Sequence, residues 1–381
     1  MDFLLEGISA LEPKSVAMIL IGCLLIFLAI KFEVEPALLL PIGFGAILVN
    51  LPHSGVIGVD ENSGFVGIIE WLYETGIEVA EAMPLLLFIG IGAMIDFGPL
   101  LSNPKLLFFG AAAQVGIFLT VILASWIGSL TGIINLKDAL SIGIIGAADG
   151  PTSILVAINS GTQYVGAITV VAYSYMALVP IIQPFAIKLV TTKKERTIPM
   201  PYNPKSVSKL TKILFPIAVT LVAGLIAPAS IALVGFLMFG NLIKECGVLN
   251  SLSETASKVL SNLITLLLGL TIAFNMKAEA FLTPATLLIM CLGLFAFVFD
   301  TIGGVMFAKL LNLFFKKKIN PMVGAAGISA FPMSARVVQK LGQEVDPQNH
   351  LLMHAVGANV AGQIASVIAG GMILSFLQLL A

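Results

Sequence analysis

A chain of 381 residues with 58% hydrophobic and 11% charged residues, and a mean hydropathy of +1.04, is too apolar for a water-soluble domain, which normally carries about 25% charged residues. Its net charge of −1 leaves no basic face for nucleic acid and no polybasic surface. Cys23, Cys246 and Cys291 have no C-x-x-C spacing, which excludes a zinc or disulfide framework and leaves the expectation of buried free thiols.

The first apolar run, Ser15 to Ile30, is followed by Lys31-Phe32-Glu33-Val34-Glu35 rather than by a small-residue cleavage site, so a retained membrane helix is expected. Further apolar runs fall near 36–51, 83–97, 105–134, 137–158 and 163–188. A charged insertion, roughly Pro52 to Ala82 with Asp60, Glu61, Glu70 and Trp71, is expected as a loop on or outside the membrane surface. After the polar, Lys-rich stretch from Thr191 to Lys209, runs follow near 209–227, 229–243, 261–275, 283–314, 320–340 and 350–380. Several are shorter than the ~20 helical residues that a hydrocarbon layer of ~30 Å requires.

The fifth run of each half carries a related interruption. Gly143 to Ser153 reads G-I-I-G-A-A-D-G-P-T-S, and Gly324 to Ser334 reads G-A-A-G-I-S-A-F-P-M-S. Gly143/Gly324, Gly146/Gly327, Pro151/Pro332, Ser153/Ser334 and Val156/Val337 are each 181 residues apart. Pro36-Ala37…Gly43-Phe44 recurs as Pro228-Ala229…Gly235-Phe236, and Leu85 to Pro104 resembles Thr265 to Pro284. Broken helices in matching positions mark repeat transporters. The expected fold is therefore an all-α polytopic membrane protein built from two inverted-topology repeats of about five spans, each with a re-entrant broken-helix hairpin. The first repeat covers 1–190 with its hairpin near 137–158, a cytoplasmic linker covers 191–208, and the second repeat covers 209–381 with its hairpin near 320–340. Five crossings per half invert the second half. The Lys193, Lys194, Arg196, Lys205 and Lys209 cluster then shares one side with Lys309, Lys316, Lys317 and Lys318, as cytoplasmic loops do. Both termini are expected outside.

Gly150-Pro151 ends one half-helix and starts the next. A carboxylate at such a break costs roughly 2.5–3.5 kcal/mol on insertion scales, and a monovalent cation or a proton on Asp149 would offset that cost. Thr152, Ser153 and nearby carbonyls are candidate oxygen ligands, and the plainer alternative is a helix N-cap. Tyr175, in Tyr173-Ser174-Tyr175, is either a site phenol or a core aromatic. The second hairpin has Ala330 in the acid's place but carries Ser329, Ser334 and Arg336. Arg336, one of only two arginines, sits a turn past Pro332, where it could bind an anion such as a carboxylate or snorkel to the surface. Asn359, Gln363 and Ser366 form one polar stripe that either glues helices or completes a Na⁺ site. Asp300 is a second cation or proton candidate or a structural group. His350 and His354, four apart, leave a metal pair open.

These residues resemble the β subunits of the Na⁺-translocating biotin-dependent decarboxylases, which act with oxaloacetate, methylmalonyl-CoA or glutaconyl-CoA. The resemblance runs over nearly the whole chain and is carried most specifically by G-A-A-D-G-P-T-S. It implies functional roles for Asp149, Tyr175, Asn320, Gly324, Ser329, Arg336 and Asn359. It further implies decarboxylation of carboxybiotin with uptake of a proton, coupled to Na⁺ export. Arg336 would position the carboxybiotin carboxylate, while Asp149, Tyr175, Asn320, Gly324, Ser329 and Asn359 would handle Na⁺, with Ser329 or Tyr175 relaying the proton. Met276-Lys277 lacks the A-M-K-M context of a biotinylation site, so biotin is expected on a partner. The implied partners are a biotinylated carrier or carboxyltransferase α subunit, a small membrane γ or δ subunit and further copies of this chain, a trimer. The implied location is the cytoplasmic (inner) membrane of a bacterium or archaeon. The rival is a Na⁺-coupled carboxylate secondary transporter of similar inverted-repeat fold; a non-catalytic anchor leaves a costly Asp149 unexplained.

Overall fold

Backbone amides at membrane depth must be satisfied within the chain, and these apolar runs do so as helices. The computed structural model describes residues 7–31, 33, 36–59, 64–79, 81–202 and 206–380. Within them the only β pairing is an isolated bridge between Val59 and Val66. Phe32, Val34, Glu35, Asp60, Glu61 and Lys205, which the sequence assigned to boundaries, loop and linker, lie outside the described residues.

The first half contains α1 (Pro13–Lys31), α2 (Pro36–Asn50), α3 (Ala82–Met94), α4 (Pro104–Thr131, interrupted at Gln114), α5 (Leu136–Gly143), α6 (Gly150–Ser160) and α7 (Val165–Val190). The second contains α8 (Lys209–Ile226), α9 (Ile231–Cys246), α10 (Ser261–Ile272), α11 (Pro284–Phe314), α12 (Met322–Ala325), α13 (Met333–Val345) and α14 (Leu352–Leu380). Among the described residues eight helices are long and apolar enough to cross a membrane. A bent pair, Ile68–Glu78 with Ala82–Met94 at 68°, and the shorter Pro36–Asn50 add to these. The expected loop from Pro52 to Ala82 is thus corrected in part. Ile68–Tyr73 is helical and continues to Glu78, because Ile68, Ile69 and Leu72 interleave with the charged residues there.

Local chemistry sets the ends that position the breaks. Gly132 leaves α4 in the left-handed conformation, and α5 then starts from a capping box in which Asn135 and Asp138 each satisfy the other's backbone N–H. Gly161 closes α6 in the same left-handed way. In the second half Thr283 caps α11 ahead of Pro284.

α14 lies innermost, with 72% of its most apolar window buried, against 11% for α8 and 17% for α1. The outer helices show Leu20, Leu24, Phe27, Leu221 and Leu225 on their exposed faces, as helices in contact with lipid do. The expectation of buried thiols is corrected by the same logic. Cys23 and Cys291 are exposed and Cys246 is half-buried, since lipid accepts a thiol as readily as a protein core does. His350 and His354 form no pair either. The His354 ring nitrogen lies 3.2 Å from the Met200 carbonyl and its ring packs edge-on against Tyr202, while His350 is exposed.

Candidate functional site: the junction of two broken helices

The break between α5 and α6 is made by a 3₁₀ turn at Ile144–Ala147 and by Ala148, a non-glycine residue at φ +53°. A left-handed alanine is strained, which points to a backbone path fixed for a purpose. Asp149 follows in extended conformation and caps α6. Its Oδ2 accepts from Thr152 Oγ1 at 2.6 Å and from Ser366 Oγ at 3.2 Å. Its Oδ1 has only a long approach of 3.5 Å from the Thr152 amide. The N-cap reading and the site reading thus meet in one residue: Asp149 caps the helix and keeps one oxygen largely unused.

The second break comes to the first. The Ser329 amide donates to the Ala147 carbonyl at 3.1 Å, joining the tips of the two broken segments. From α14, Asn359 Nδ2 donates to the Ile328 carbonyl at 2.7 Å, and Gln363 Nε2 donates to the Ser329 carbonyl. Each amide aimed in this way leaves its own oxygen behind. Asn359 Oδ1, Gln363 Oε1, Ser329 Oγ and Tyr173 Oη are all buried without a hydrogen-bond partner. Ser329 Oγ lies within electrostatic reach of the Asp149 carboxylate without meeting hydrogen-bond geometry. The Tyr173 ring packs directly on Gly150, where any Cβ would collide with it. Buried oxygens left unpaired are expensive, and a hard cation that takes only oxygen ligands is the group such a set fits. No Lys or Arg is buried among the described residues, so the protein itself supplies no positive charge here.

The structure brings Asp149, Ser329 and Asn359 together and sends the other sequence candidates elsewhere. The Tyr175 hydroxyl donates to the Met290 carbonyl at 2.6 Å, on the side of α7 facing α11. Asn320 is fully buried, but its amide donates to the Arg196 and Ile198 carbonyls at 2.9 Å each and so pins the linker. Asn349 reinforces that contact at 3.0 Å to Arg196, and Lys309 pairs with Glu195 at 2.9 Å. Partial burial raises the Glu195 pKa, but the Thr192 amide and Lys309 outweigh it and hold this carboxyl below the ordinary value. Gly324 serves packing: its backbone and that of Gly304 on α11 touch so closely that neither position has room for a Cβ.

Arg336 is exposed on α13 and lines a cavity of about 250 Å³ with Glu33, Pro180, Pro184, Lys340 and Glu344. None of the Asp149 set lines this cavity, whose two cationic side chains, Arg336 and Lys340, share it with the carboxylates of Glu33 and Glu344, the latter paired with Lys188. Gln363, Ser366, Thr152 and Tyr173 complete the junction beyond the residues the sequence ranked first. The polar stripe on α14 pointed to the first two. Tyr173 stands beside Tyr175 in the sequence with no local signal to set it apart.

The chain matches, over residues 14–377, the family described as the Na⁺-transporting oxaloacetate decarboxylase β subunit. It is 46% identical to the glutaconyl-CoA decarboxylase subunit β of Acidaminococcus fermentans, across 97% of this chain and 95% of that one. It is 45% identical to the methylmalonyl-CoA decarboxylase subunit β of Propionigenium modestum, across 97% and 96%. It is 42% identical to the oxaloacetate decarboxylase β chain of Haemophilus ducreyi, across 98% and 97%.

Proposed function

This chain belongs to the β-subunit family of the Na⁺-transporting decarboxylases, and we propose that the junction of its two broken helices is where Na⁺ occupancy is coupled to decarboxylation. It is a multi-pass membrane subunit of a biotin-dependent Na⁺ pump, and the family match displaces the secondary-carrier reading. The proposal rests on one observation above all. A buried carboxylate and four unpartnered buried oxygens gather at one junction with no cationic side chain among them.

Asp149 supplies the charge for the cargo ion, and Ser329, Asn359 and Gln363 supply neutral oxygens. Carboxybiotin, bound from a partner subunit, provides a carboxylate whose loss as CO₂ leaves a ring nitrogen that takes up one proton. Arg336, with Lys340 beside it, holds that carboxylate at the cytoplasmic mouth by charge-assisted hydrogen bonds. Ser329, whose hydroxyl has no partner and touches the ion set, relays the proton. Tyr175, Asn320 and Gly324 act through packing of the elements that carry these groups. Moving one charge against 100 mV costs about 2.3 kcal/mol, so release of CO₂ must wait on ion occupancy. The upstream acid is selected by the carboxyltransferase, consistent with similar identities to relatives of three different names.

The two halves act as inverted repeats, 1–190 and 209–381, each with a re-entrant hairpin, in the cytoplasmic membrane. The packing supports this reading. Gly143 packs on α4 and Gly146 on α11, whereas Gly324 packs on α11 and Gly327 on α4. Ser153 Oγ reaches the Ile144 carbonyl at 3.5 Å and Ser334 Oγ reaches the Ala325 carbonyl at 3.3 Å, the same contact across each break. A biotinylated carrier, a small membrane subunit and further copies of this chain complete the assembly.

The test is CO₂ release from a carboxylated biotinyl carrier by the intact complex, with and without Na⁺. Na⁺ should stimulate release in the wild type and fail to do so in Asp149→Asn. Full Na⁺ stimulation in a folded Asp149→Asn complex would overturn the assignment.

A further inference from the structure

Among the described residues three acids are buried, Asp138, Asp149 and Asp300, and no Lys or Arg is. Asp138 is settled by its capping box with Asn135 and by the Thr162 hydroxyl. Asp149 belongs to the junction above. Asp300 is different. It lies near the middle of the 31-residue α11, is 1% exposed and has no ion-pair partner among the described residues.

One Asp300 oxygen is accounted for. Oδ1 accepts from the Ile117 amide at 3.1 Å, in the first turn after the interruption of α4 at Gln114. A half-helix N-terminus carries partial positive charge, so this contact offsets part of the cost of an ionised carboxylate. Oδ2 has no partner. It faces Gly146 in the 3₁₀ turn of the first break, where a Cβ would collide with it. The hydroxyls of Thr301, next on α11, and of Thr120, one turn along α4 from Gly116, are also buried and unpartnered. Gly116 itself packs on Asp300, and its amide also approaches the carboxyl beside that of Ile117, leaving Oδ2 as the oxygen without a partner.

The charged and titratable groups on the surrounding elements are engaged elsewhere. Lys105 of α4 sits over the Phe315 ring, and Lys309 of α11 pairs with Glu195. Asp149 bonds Thr152 and Ser366, and Tyr175 of α7 bonds Met290. Cys291 of α11 is exposed, and Tyr173 packs on Gly150. A bare carboxylate oxygen at this depth is costly, and no side chain present removes the cost.

We propose that Asp300 is a second cation-binding carboxylate, which takes one proton or one Na⁺ at the contact of α11, the α4 interruption and the first broken helix. Binding there is independent of the decarboxylase reading, since it requires only the buried oxygens and the absent counter-charge. Its consequence follows from Gly146. The oxygen that gains or loses the cation presses on the turn that sets Asp149 three residues later, so the charge on Asp300 biases the conformation of the first break.

The test is thermal unfolding of the intact complex in detergent, with Na⁺ replaced by choline at constant ionic strength and at mildly acid to mildly alkaline pH. Wild type, Asp149→Asn, Asp300→Asn and the double variant Asp149→Asn/Asp300→Asn are compared, because a ligand that binds the folded state raises its melting temperature. If the cation is Na⁺, Asp149→Asn keeps a Na⁺-dependent shift that Asp149→Asn/Asp300→Asn loses. If it is a proton, Asp300→Asn loses a pH-dependent shift that wild type shows at fixed Na⁺. A folded Asp300→Asn with the Na⁺ and pH responses of wild type overturns the proposal. Should Asp300→Asn fail to fold, wild type is labelled with a hydrophobic carbodiimide, to which a protonated buried carboxyl transfers its proton and then adds through oxygen, and Asp300 is followed by peptide mass spectrometry. Labelling suppressed by alkaline pH or by Na⁺ supports the site and names the cation. Labelling indifferent to both, or none at Asp300 under any condition, overturns it.

Discussion

The two broken helices share a skeleton 181 residues apart, yet they solve their exposed backbone differently. At the first break most bonds are internal, with Ser153 Oγ donating to the Asp149 carbonyl at 2.9 Å and Asp149 capping α6 with Thr152, and among the described residues only Ser366 and the Ser329 amide reach it from outside. At the second the acid is replaced by Ala330 and the hydroxyl partner by Met333, so help comes from another helix. Gln183 of α7 donates at 2.9 Å to the Ala325 carbonyl and at 2.6 Å to Ser334 Oγ, spanning that break from outside. The first break carries the acid and is bonded mainly within itself. The other is acid-free, is gripped by α7 and α14, and brings the Ser329 hydroxyl to the junction.

That contrast can be attacked directly. Removing the charge should have the largest effect. Asp149→Asn is expected to raise the Na⁺ concentration for half-maximal CO₂ release by about 100-fold or more, the equivalent of about 2.7 kcal/mol. Moving the charge should not move the site. Ala330→Asp places a carboxylate where no hydroxyl matches Thr152, at a cost of roughly 2.5–3.5 kcal/mol, and Asp149→Ala/Ala330→Asp should not regain Na⁺ stimulation. Unfolding in detergent and Na⁺ titration of activity check the two halves of that prediction.

Next comes the outside grip on the second break. Gln183→Leu should destabilise by about 1–3 kcal/mol, because the Ala325 carbonyl and Ser334 lose a buried donor, and should speed amide exchange near 325–334. Ser153→Ala removes a bond internal to the first break and should cost only about 0.5–1.5 kcal/mol in the same unfolding assay. A larger loss from Ser153→Ala than from Gln183→Leu would invert the comparison.

The smallest effect concerns the linker beside the second break. Glu195 is held below its ordinary pKa, so its contribution is present above the unfolded value and is lost as pH falls through the folded one. Amide exchange across 192–198 should therefore rise on acidification in wild type. In Lys309→Met the protection should be weaker at neutral pH and should fall away at less acid pH.

The sequence made the breaks legible because Gly-Pro pairs, a carboxylate and hydroxyls inside apolar runs have no other economical explanation. Asp149, Ser329 and Asn359 were visible for that reason, as was the polar stripe that includes Gln363 and Ser366. Helix rotation was not visible. α7 is apolar nearly all round, so nothing in its pattern separates the face of Tyr173 from that of Tyr175, two residues and more than half a turn away. Lipid is as apolar as a protein core, which is why Cys23 and Cys291 read as buried and are exposed. Asn320 entered as a site residue only through the family resemblance, not through any local pattern. The carbonyls its amide bonds, those of Arg196 and Ile198, are more than 120 residues away and leave no trace in local pattern. Gln183 was missed for the same reason.

The most direct measurement is a structure of the intact complex in saturating Na⁺, at a resolution that shows bound ions, beside one in choline. The account predicts a Na⁺-dependent density in contact with the Asp149 carboxylate and with Asn359 Oδ1 or Gln363 Oε1. A density at Tyr175 or Asn320, with Asp149 still bonded only to Thr152 and Ser366, would contradict it.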